Sequence, residues 1–282
     1  MIELLTLTHS PEFAARCDQL PGMRLFVDLE RNGKAERQQG RNTFISSHTV
    51  ADVGHVKAVL KQAKVMVRVN PIDLANLAAC TAEVNAVLAQ GADMLMLPMF
   101  STPAELQAFA ALVAGRVPVV ALLETAGALA SLDDWIGTHG LQEVFVGLND
   151  LHVSLGCQFM FEPLVLGHAD RVAAAATAHG LRFGFGGIAR VDEGLLPGRD
   201  VLAEHVRLGS RAVILSRSFN QAAGQSGSDA TRAPFEQAVG QLRAAERALA
   251  LRTPQQILDD QARTFAQISK LSDSFQTAKA AA

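Results

Sequence analysis

The chain has 282 residues, 49% of them hydrophobic, so it is long enough for one large α/β domain or two modest ones. A formal charge of -3 without a dense Lys/Arg run argues against a nucleic-acid or anionic-membrane partner, so a small-molecule substrate is expected. No apolar run approaches the roughly 20 residues needed to span a bilayer. The first residues, Met-Ile-Glu-Leu-Leu, show no basic n-region or small-residue cleavage site, so we expect the protein not to be exported. The three cysteines are far apart and form no CxxC pair, so we expect a soluble, cytoplasmic protein.

Short apolar runs alternate with Ala-rich amphipathic stretches up to about residue 220, which indicates repeated βα units around a buried parallel sheet. Helical patterns such as Pro103 to Ala114 and His168 to His179 separate the runs, and a (β/α)8 TIM barrel needs eight of them. A doubly wound sheet is the alternative. A further run, Thr43 to Ser46, is interpreted as a short extended piece inside the second connection. The eight runs are Ile2 to Leu7, Met23 to Leu29, Lys64 to Val69, Asp93 to Leu97, Val117 to Leu123, Glu143 to Gly147, Leu181 to Phe185 and Arg211 to Leu215.

The composition of the sequence changes after Phe219, where a stretch of small and polar residues predicts a flexible connection. Two helical patterns follow, Pro234 to Leu251 and Pro254 to Leu271, with Thr253 as the N-cap of the second. We therefore expect a barrel domain over residues 1–220. Residues 221–282 are expected to form a linker and additional C-terminal helices that pack on the barrel or on a neighbouring subunit, with a frayed Lys-Ala-Ala-Ala end.

Polar residues follow the predicted strands, which is where barrel enzymes place their chemistry. Glu124 follows Val-Val-Ala-Leu-Leu and Asp150 follows Val-Phe-Val-Gly-Leu-Asn, so two carboxylates are predicted at adjacent strand ends. Two hard oxygen ligands, with the other positions left to water and substrate, are an arrangement that Mg²⁺ or Mn²⁺ favours. The alternative is that both acids are helix N-caps or surface residues.

Five segments of the chain together carry a recognisable pattern. They are Phe26 to Glu30, Val67 to Asn70, Gly91 to Pro98, Leu123 to Thr125 and Gly147 to Gly156. In their order and spacing they resemble the HpcH/HpaI aldolase/citrate lyase family, whose members act on 2-oxo acids. The Gly-Leu-Asn-Asp-Leu segment and the Leu-Gly pair after it, residues 147–156, are the most specific match and resemble the family's metal-ligand loop.

The resemblance implies a divalent-metal-dependent carbon–carbon lyase or aldolase that cleaves or forms aldol adducts of pyruvate or a related 2-oxo acid. It implies Glu124 and Asp150 as ligands of Mg²⁺ or Mn²⁺ and Arg68 as a contact to substrate oxygens, so that the metal and Arg68 together stabilise an enolate. Backbone amides near Gly91 and Asp93 are expected to complete the substrate's carboxylate site. A homo-oligomer is implied as well.

The chain departs from the family at Arg31, where aldolases of this type have a histidine and lyases have an acid. Glu30, from the same acidic motif, stays a candidate catalytic residue. His48 and His152 are candidate proton carriers, because histidine titrates near neutrality. The alternative is that both histidines are structural or surface residues.

A lysine Schiff base would be another way to stabilise the carbanion. No lysine stands at a predicted strand end, since Lys34, Lys57 and Lys61 lie in connections and Lys64 begins a strand. The sequence therefore favours the metal.

Glycines and arginines follow the seventh and eighth predicted strands, where barrels often bind phosphate. Gly186 and Gly187 permit close backbone approach, and Arg190 and Arg217 supply donors for a phosphate or a second carboxylate. The alternative is that the glycines only turn the chain and the arginines pair with acids.

Two other functions are compatible with these residues. One is a condensing or lyase activity on citrate-like or acyl-CoA substrates with the same metal site, although no nucleotide-recognition feature is evident. The other is a catalytically degenerate barrel that binds an anionic metabolite.

Overall fold

The structure, a computed structural model, describes residues 1–33, 46–220 and 234–280. Eight parallel strands close into a barrel in which each strand pairs with the next along the chain and the last pairs with the first. The predicted (β/α)8 barrel with additional C-terminal helices is therefore confirmed. The strands are β1 (Glu3–Leu7), β2 (Met23–Asp28), β3 (Lys64–Arg68), β4 (Met94–Leu97), β5 (Val119–Leu123), β6 (Leu141–Val146), β7 (Arg182–Ile188) and β8 (Ala212–Leu215).

Helices lie between the strands on the outside of the barrel. Thr253, the predicted N-cap, accepts from the backbone N–H of Gln256. The helix predicted from Pro103 begins there as well, where the structure shows that Thr102 and Glu105 form a capping box. The helices described between the strands are α1 (Pro11–Cys17), α2 (Val50–Val59), α3 (Leu77–Ala89), α4 (Pro103–Val113), α5 (Ala126–Ala130), α6 (Leu132–Trp135), α7 (Leu148–Ser154), α8 (Glu162–Val165), α9 (His168–Ala178) and α10 (Gly198–Arg207). After β8 come α11 (Arg217–Asn220), α12 (Phe235–Leu249) and α13 (Pro254–Ala280).

The strands are apolar on both faces because both faces are buried. Side chains alternate along each strand, so Leu25 and Val27 of β2 pack against the helices while Phe26 points into the barrel. The barrel interior is filled by an apolar layer that includes Phe26, Met66 and Phe145. The barrel is therefore a packed core that opens only at its ends.

An ion cluster with a buried Arg24–Glu143 pair at its centre lies at the end of the barrel at which the strands begin. Arg24 of β2 donates to both carboxylate oxygens of Glu143, at 2.8 and 2.9 Å, and also pairs with Glu3. Arg182 bonds Glu143 at 3.1 Å and Glu3 at 2.8 Å. Two arginines and two glutamates therefore neutralise one another beneath the apolar layer, opposite the end where the strands finish.

The C-terminal helices pack on the barrel. α12 contacts α10, and α13 contacts both α10 and α8. The division into domains at residue 220 stays a prediction. The predicted flexible connection and most of the Thr43 to Ser46 run lie outside the described residues, as do the last two alanines. Across the described ranges, no helix is long and apolar enough to cross a membrane.

Buried His205 of α10 makes the fold sensitive to acid. Its ring stacks on Phe185 with centroids 3.7 Å apart, Nδ1 lies 2.8 Å from Ser210 Oγ, and burial lowers the pKa of His205 to about 3. Between pH 6.5 and 3, His205 is protonated in the unfolded chain but stays neutral in the folded protein. The free energy of unfolding therefore falls as pH decreases through this interval, by up to about 1.4 kcal/mol per pH unit.

We expect the His205→Gln variant to lose less stability than the wild type between pH 7 and 5, as measured by urea unfolding at each pH. An NMR titration of the wild type is the complementary measurement. A His205 ring that becomes protonated near pH 6 in the folded protein would contradict the prediction.

Candidate active site

A cavity of about 310 Å³ opens at the end of the barrel where the strands finish. Its floor is apolar and comes mainly from the barrel interior. Charged and polar groups surround it, at the ends of five different strands or on the residues that follow them. The apolar lining residues are Leu7, Phe26, Leu122, Phe145, Leu148, Met160 and Ile214, and the polar ones are Asp28, Arg68, Glu124, Asn149, Asp150, Ser216 and Arg217. Gly147, Gly186 and Gly187 complete the wall.

Glu124 comes directly after β5, and its side chain is buried against the backbone of its neighbours. Its Oε1 accepts from the backbone N–H of Met99 at 3.0 Å, and Met99 adopts a left-handed conformation with φ of 56°. On the other side, a Cβ placed on Gly147 would lie 2.8 Å from Glu124 Oε2. The absence of a side chain at position 147 therefore makes room for this carboxylate.

Asp150 lies in α7, which follows β6, the hydrogen-bonded neighbour of β5. Burial raises the pKa of Glu124 to about 8. Arg68 opposes the shift, and the negative charges of Asp150 and Glu30 add to it. The two predicted metal ligands therefore line one cavity and repel each other there.

A divalent cation fits this pair of acids. It would relieve the repulsion between Glu124 and Asp150, and oxygen ligands on a few side chains suit Mg²⁺ or Mn²⁺. Over residues 1–33, 46–220 and 234–280, no group of three or more His, Cys, Asp or Glu side chains is arranged to hold a metal ion. A cation held by two carboxylates alone would keep positions open for water or substrate, because Mg²⁺ takes six ligands.

Arg68 ends β3 and is held in place by the end of β2. Its Nε and Nη2 donate to the two carboxylate oxygens of Asp28 at 2.9 and 2.8 Å, and Nη2 lies 3.3 Å from Glu30. Its guanidinium also lies 5.6 Å from the centre of the Phe26 ring. Nη1 has no hydrogen-bond partner in the described part of the chain, so this nitrogen is available to a ligand.

The residues predicted after β7 and β8 separate into two groups. Gly186, Gly187 and Arg217 line the cavity. Arg190 does not: its side chain is buried and donates from Nε and Nη2 to the carbonyl of Phe219, at 3.3 and 3.1 Å. Arg190 therefore fixes the end of α11 and does not line the cavity.

Gly91 and Asp93 lie at the opposite end of the barrel from the cavity, which corrects their expected place beside the substrate. They precede β4, and in a parallel barrel the residue before a strand lies at the end where strands begin. Asp93 accepts from Lys57 Nζ at 2.6 and 2.7 Å and from the backbone N–H of Val65 at 2.8 Å. These contacts tie α2 to β3 and β4.

None of the predicted proton carriers lines the cavity. Nδ1 of buried His48 accepts from the backbone N–H of Asp28 at 3.1 Å, so His48 lies behind the strand end. His152 is on α7 with Nδ1 3.1 Å from the Leu148 carbonyl, and Glu30 is buried beside Arg68. Arg31 donates to the carbonyl of His48 at 2.8 Å, which fastens that segment to the end of β2.

Among the polar lining residues, Asp28, Asn149 and Ser216 have no role predicted from the sequence, and neither has Met160 of the apolar lining. Asp28 and Arg68 are the last residues of β2 and β3 and lie opposite each other in the register of the two strands. The position of Asp28 at the end of its predicted strand could therefore have indicated that it lies beside Arg68. Asn149 and Ser216 adjoin residues that were singled out. Met160 lies in a connection, where no periodic pattern points to it.

Comparison with known proteins agrees with this architecture. The family model for HpcH/HpaI aldolase/citrate lyase matches residues 10–190. No curated protein sequence matches the chain. Solved structures that share the fold include an HpcH/HpaI aldolase from Desulfitobacterium hafniense DCB-2, with 17% identity and a TM-score of 0.59 over 76% of this chain and 86% of that one.

Two more solved structures are similar over most of their length. An HpcH/HpaI aldolase/citrate lyase family protein from Burkholderia cenocepacia J2315 has 20% identity and a TM-score of 0.58, covering 88% of this chain and 93% of that one. The citrate lyase beta subunit of M. tuberculosis, solved with oxaloacetate and magnesium, has 18% identity and a TM-score of 0.57, covering 87% of this chain and 97% of that one. With the family model matching well over half of its residues, the chain belongs to the HpcH/HpaI aldolase/citrate lyase family.

Proposed function

We propose that this protein is a divalent-metal-dependent carbon–carbon lyase or aldolase that cleaves or forms aldol adducts of pyruvate or a related 2-oxo acid. The observation that carries the proposal is the convergence of Glu124, Asp150 and Arg68 on one cavity with an apolar floor. A fold of this family serves several chemistries, so the argument rests on the residues of the site.

Glu124 and Asp150 would hold Mg²⁺ or Mn²⁺. When bound, such an ion supplies a Lewis acid that polarises the oxygens of a 2-oxo acid. The backbone N–H of Met99 and the space left by Gly147 keep Glu124 in a fixed position before a cation arrives. A ligand fixed in advance does not have to be reorganised during the reaction.

Arg68 binds and orients the substrate in this proposal. Asp28 occupies its Nε and Nη2 edge, so the guanidinium plane is fixed and Nη1 is left to donate to a substrate oxygen. Carbon–carbon cleavage leaves an enolate, whose oxygen carries negative charge. A fixed cationic donor stabilises that charge more strongly as it develops than it stabilises the neutral carbonyl.

The apolar floor, which includes Phe26 and Phe145, limits the water in the cavity and so strengthens these electrostatic contacts. Arg217 begins α11, directly after β8, and lines the same cavity as Glu124 and Asp150. We propose that it contacts a second anionic group of the substrate. The three cysteines are free thiols, which supports the proposed cytoplasmic location, and a homo-oligomer is proposed from family membership alone.

The test is exchange of the methyl protons of pyruvate with D₂O, followed by mass spectrometry. We expect the purified protein to catalyse exchange with Mg²⁺ or Mn²⁺, to lose that activity in EDTA and to regain it when metal is restored, because deprotonation at the methyl group forms the enolate. Absence of exchange under conditions where metal binding is demonstrated by calorimetry would contradict the proposal for pyruvate.

The same preparation distinguishes the other functions. Citrate or malate-type products formed from oxaloacetate or glyoxylate with acetyl-CoA, without pyruvate exchange, would indicate a condensing enzyme. Metal and 2-oxo acid binding with neither activity would indicate a binding protein.

A further inference from the structure

One apolar residue of the cavity wall comes from a connection, whereas the others described come from strands or from the start of α7. Met160 lies between α7 and α8 and lines the cavity beside the apolar floor. Methionine is flexible and adapts to its surroundings, so its position depends on what holds the adjoining backbone.

The segment around Met160 is fixed by hydrogen bonds at its beginning. The backbone N–H of Cys157 donates to the carbonyl of His152 at 2.8 Å. The carboxylate of Glu162, in the first turn of α8, accepts from the backbone N–H groups of Gln158 and Phe159 at 2.6 and 2.5 Å. These bonds set the path of the chain up to the residue before Met160.

Aromatic rings on both sides of Met160 hold the segment to the rest of the protein. Phe159 and Phe161 are buried, and their ring centroids lie 5.5 Å apart in an edge-to-face arrangement. The ring of Phe275, near the end of α13, lies 5.6 Å from that of Phe159. The Phe275 side chain contacts Phe159 on one side and is 38% exposed to solvent.

We propose that Met160 determines which apolar chain length the cavity accepts, and that Phe275 of α13 positions Met160 through Phe159. This inference rests on the proposed function and adds to it a specificity residue and a role for the C-terminal helix. Arg68 and Glu124, at the ends of β3 and β5, face the 2-oxo acid portion of a substrate, whereas the Met160 side chain offers apolar contact. Met160 therefore contacts the hydrocarbon chain of the aldehyde or of the aldol adduct.

The experiment uses the full-length protein and four variants, Met160→Ala, Phe275→Ala, Phe275→Leu and the double variant Met160→Ala with Phe275→Ala. Leu258→Ala is the matched control, because Leu258 is an exposed apolar residue near the other end of the same helix. Values of kcat and KM are measured for addition of pyruvate to straight-chain aldehydes from acetaldehyde to octanal. Binding of straight-chain 2-oxo acids of the same lengths is measured by calorimetry with metal present.

We expect Met160→Ala to raise kcat/KM for the longest aldehydes relative to acetaldehyde on the order of 10-fold, which is the lower end of the effect that one methylene group has in an apolar pocket. Phe275→Ala should shift the preference in the same direction by about 3-fold, mainly through KM, and Phe275→Leu by less. The double variant should resemble Met160→Ala, because residues that act through one another are not additive. Leu258→Ala should leave the profile unchanged.

An unchanged length preference in Met160→Ala would overturn the role of Met160. A Phe275→Ala profile equal to that of Leu258→Ala would overturn the role of α13. The binding measurements separate this inference from the proposed function. If no variant or wild-type protein turns over substrate, but the length preference in binding shifts in the variants, only the proposed reaction is rejected. Exchange of pyruvate protons with no such shift rejects only the inference.

Discussion

Replacement of Glu124 by glutamine is expected to reduce metal-dependent exchange of pyruvate protons on the order of 100-fold or more, because the amide removes one of the two anionic ligands without changing the size of the side chain. Calorimetry should show weaker binding of Mg²⁺ and Mn²⁺ by the variant. Glu124 is buried near two other carboxylates, so its neutral replacement should not destabilise the metal-free protein.

The sign of the stability effect follows from the raised pKa of Glu124. In the metal-free protein this pKa is about 8, above the usual value of 4.5, so the wild type loses stability as pH rises from 4.5 toward 8. The glutamine variant should lose less over this interval. Glu83→Gln is the matched control for metal binding and exchange, because Glu83 is a half-buried acid that bonds Asn70 outside the cavity. Wild-type exchange by Glu124→Gln would contradict the metal assignment.

Replacement of Glu143 by leucine is expected to lower the free energy of unfolding by about 3 kcal/mol, because it removes the buried acid that pairs with both Arg24 and Arg182 and leaves the two arginines to share Glu3. Arg24 and Glu143 are each 2% exposed, and Glu3 is the other acid bonded to Arg24 among the described residues. Urea unfolding is the measurement, with thermal midpoints as a second measure.

The double variant Arg24→Met with Glu143→Leu should recover much of this loss, since apolar residues of similar volume can replace a buried ion pair. Pyruvate exchange per folded molecule should be unchanged in both variants, because the cluster lies at the end of the barrel away from Glu124. Reduced exchange in the fully folded double variant would show that the two ends of the barrel are coupled.

The fold could be predicted because a parallel barrel requires apolar strands at regular intervals, and this pattern is local. Predicted and observed strands differ by only a few residues at their ends, where solvation and turn geometry decide the boundary. The segment from Thr43 lies mostly outside the described residues, so its interpretation stays a prediction.

The site was less predictable than the fold. A polar residue next to a predicted strand can lie at either end of the barrel, and the strand boundary that decides this is uncertain in the sequence. Asp93 begins a strand and lies at the far end of the barrel, whereas Glu124 follows one and lies in the cavity. Arg190 follows a strand too, yet its side chain turns to the Phe219 carbonyl. That choice depends on tertiary packing of α11, which no local pattern encodes.

The carboxylate of Glu124 is located by the backbone of Met99 and by the missing side chain of Gly147. Met160, in contrast, belongs to a connection whose residues do not form part of the sheet. Descendants of this sequence could therefore acquire new acceptor molecules by changing one connection and one helix end, while inheriting the same ligand geometry. Gly147, in contrast, could not be replaced in this way, since a Cβ at this position would displace the carboxylate of Glu124.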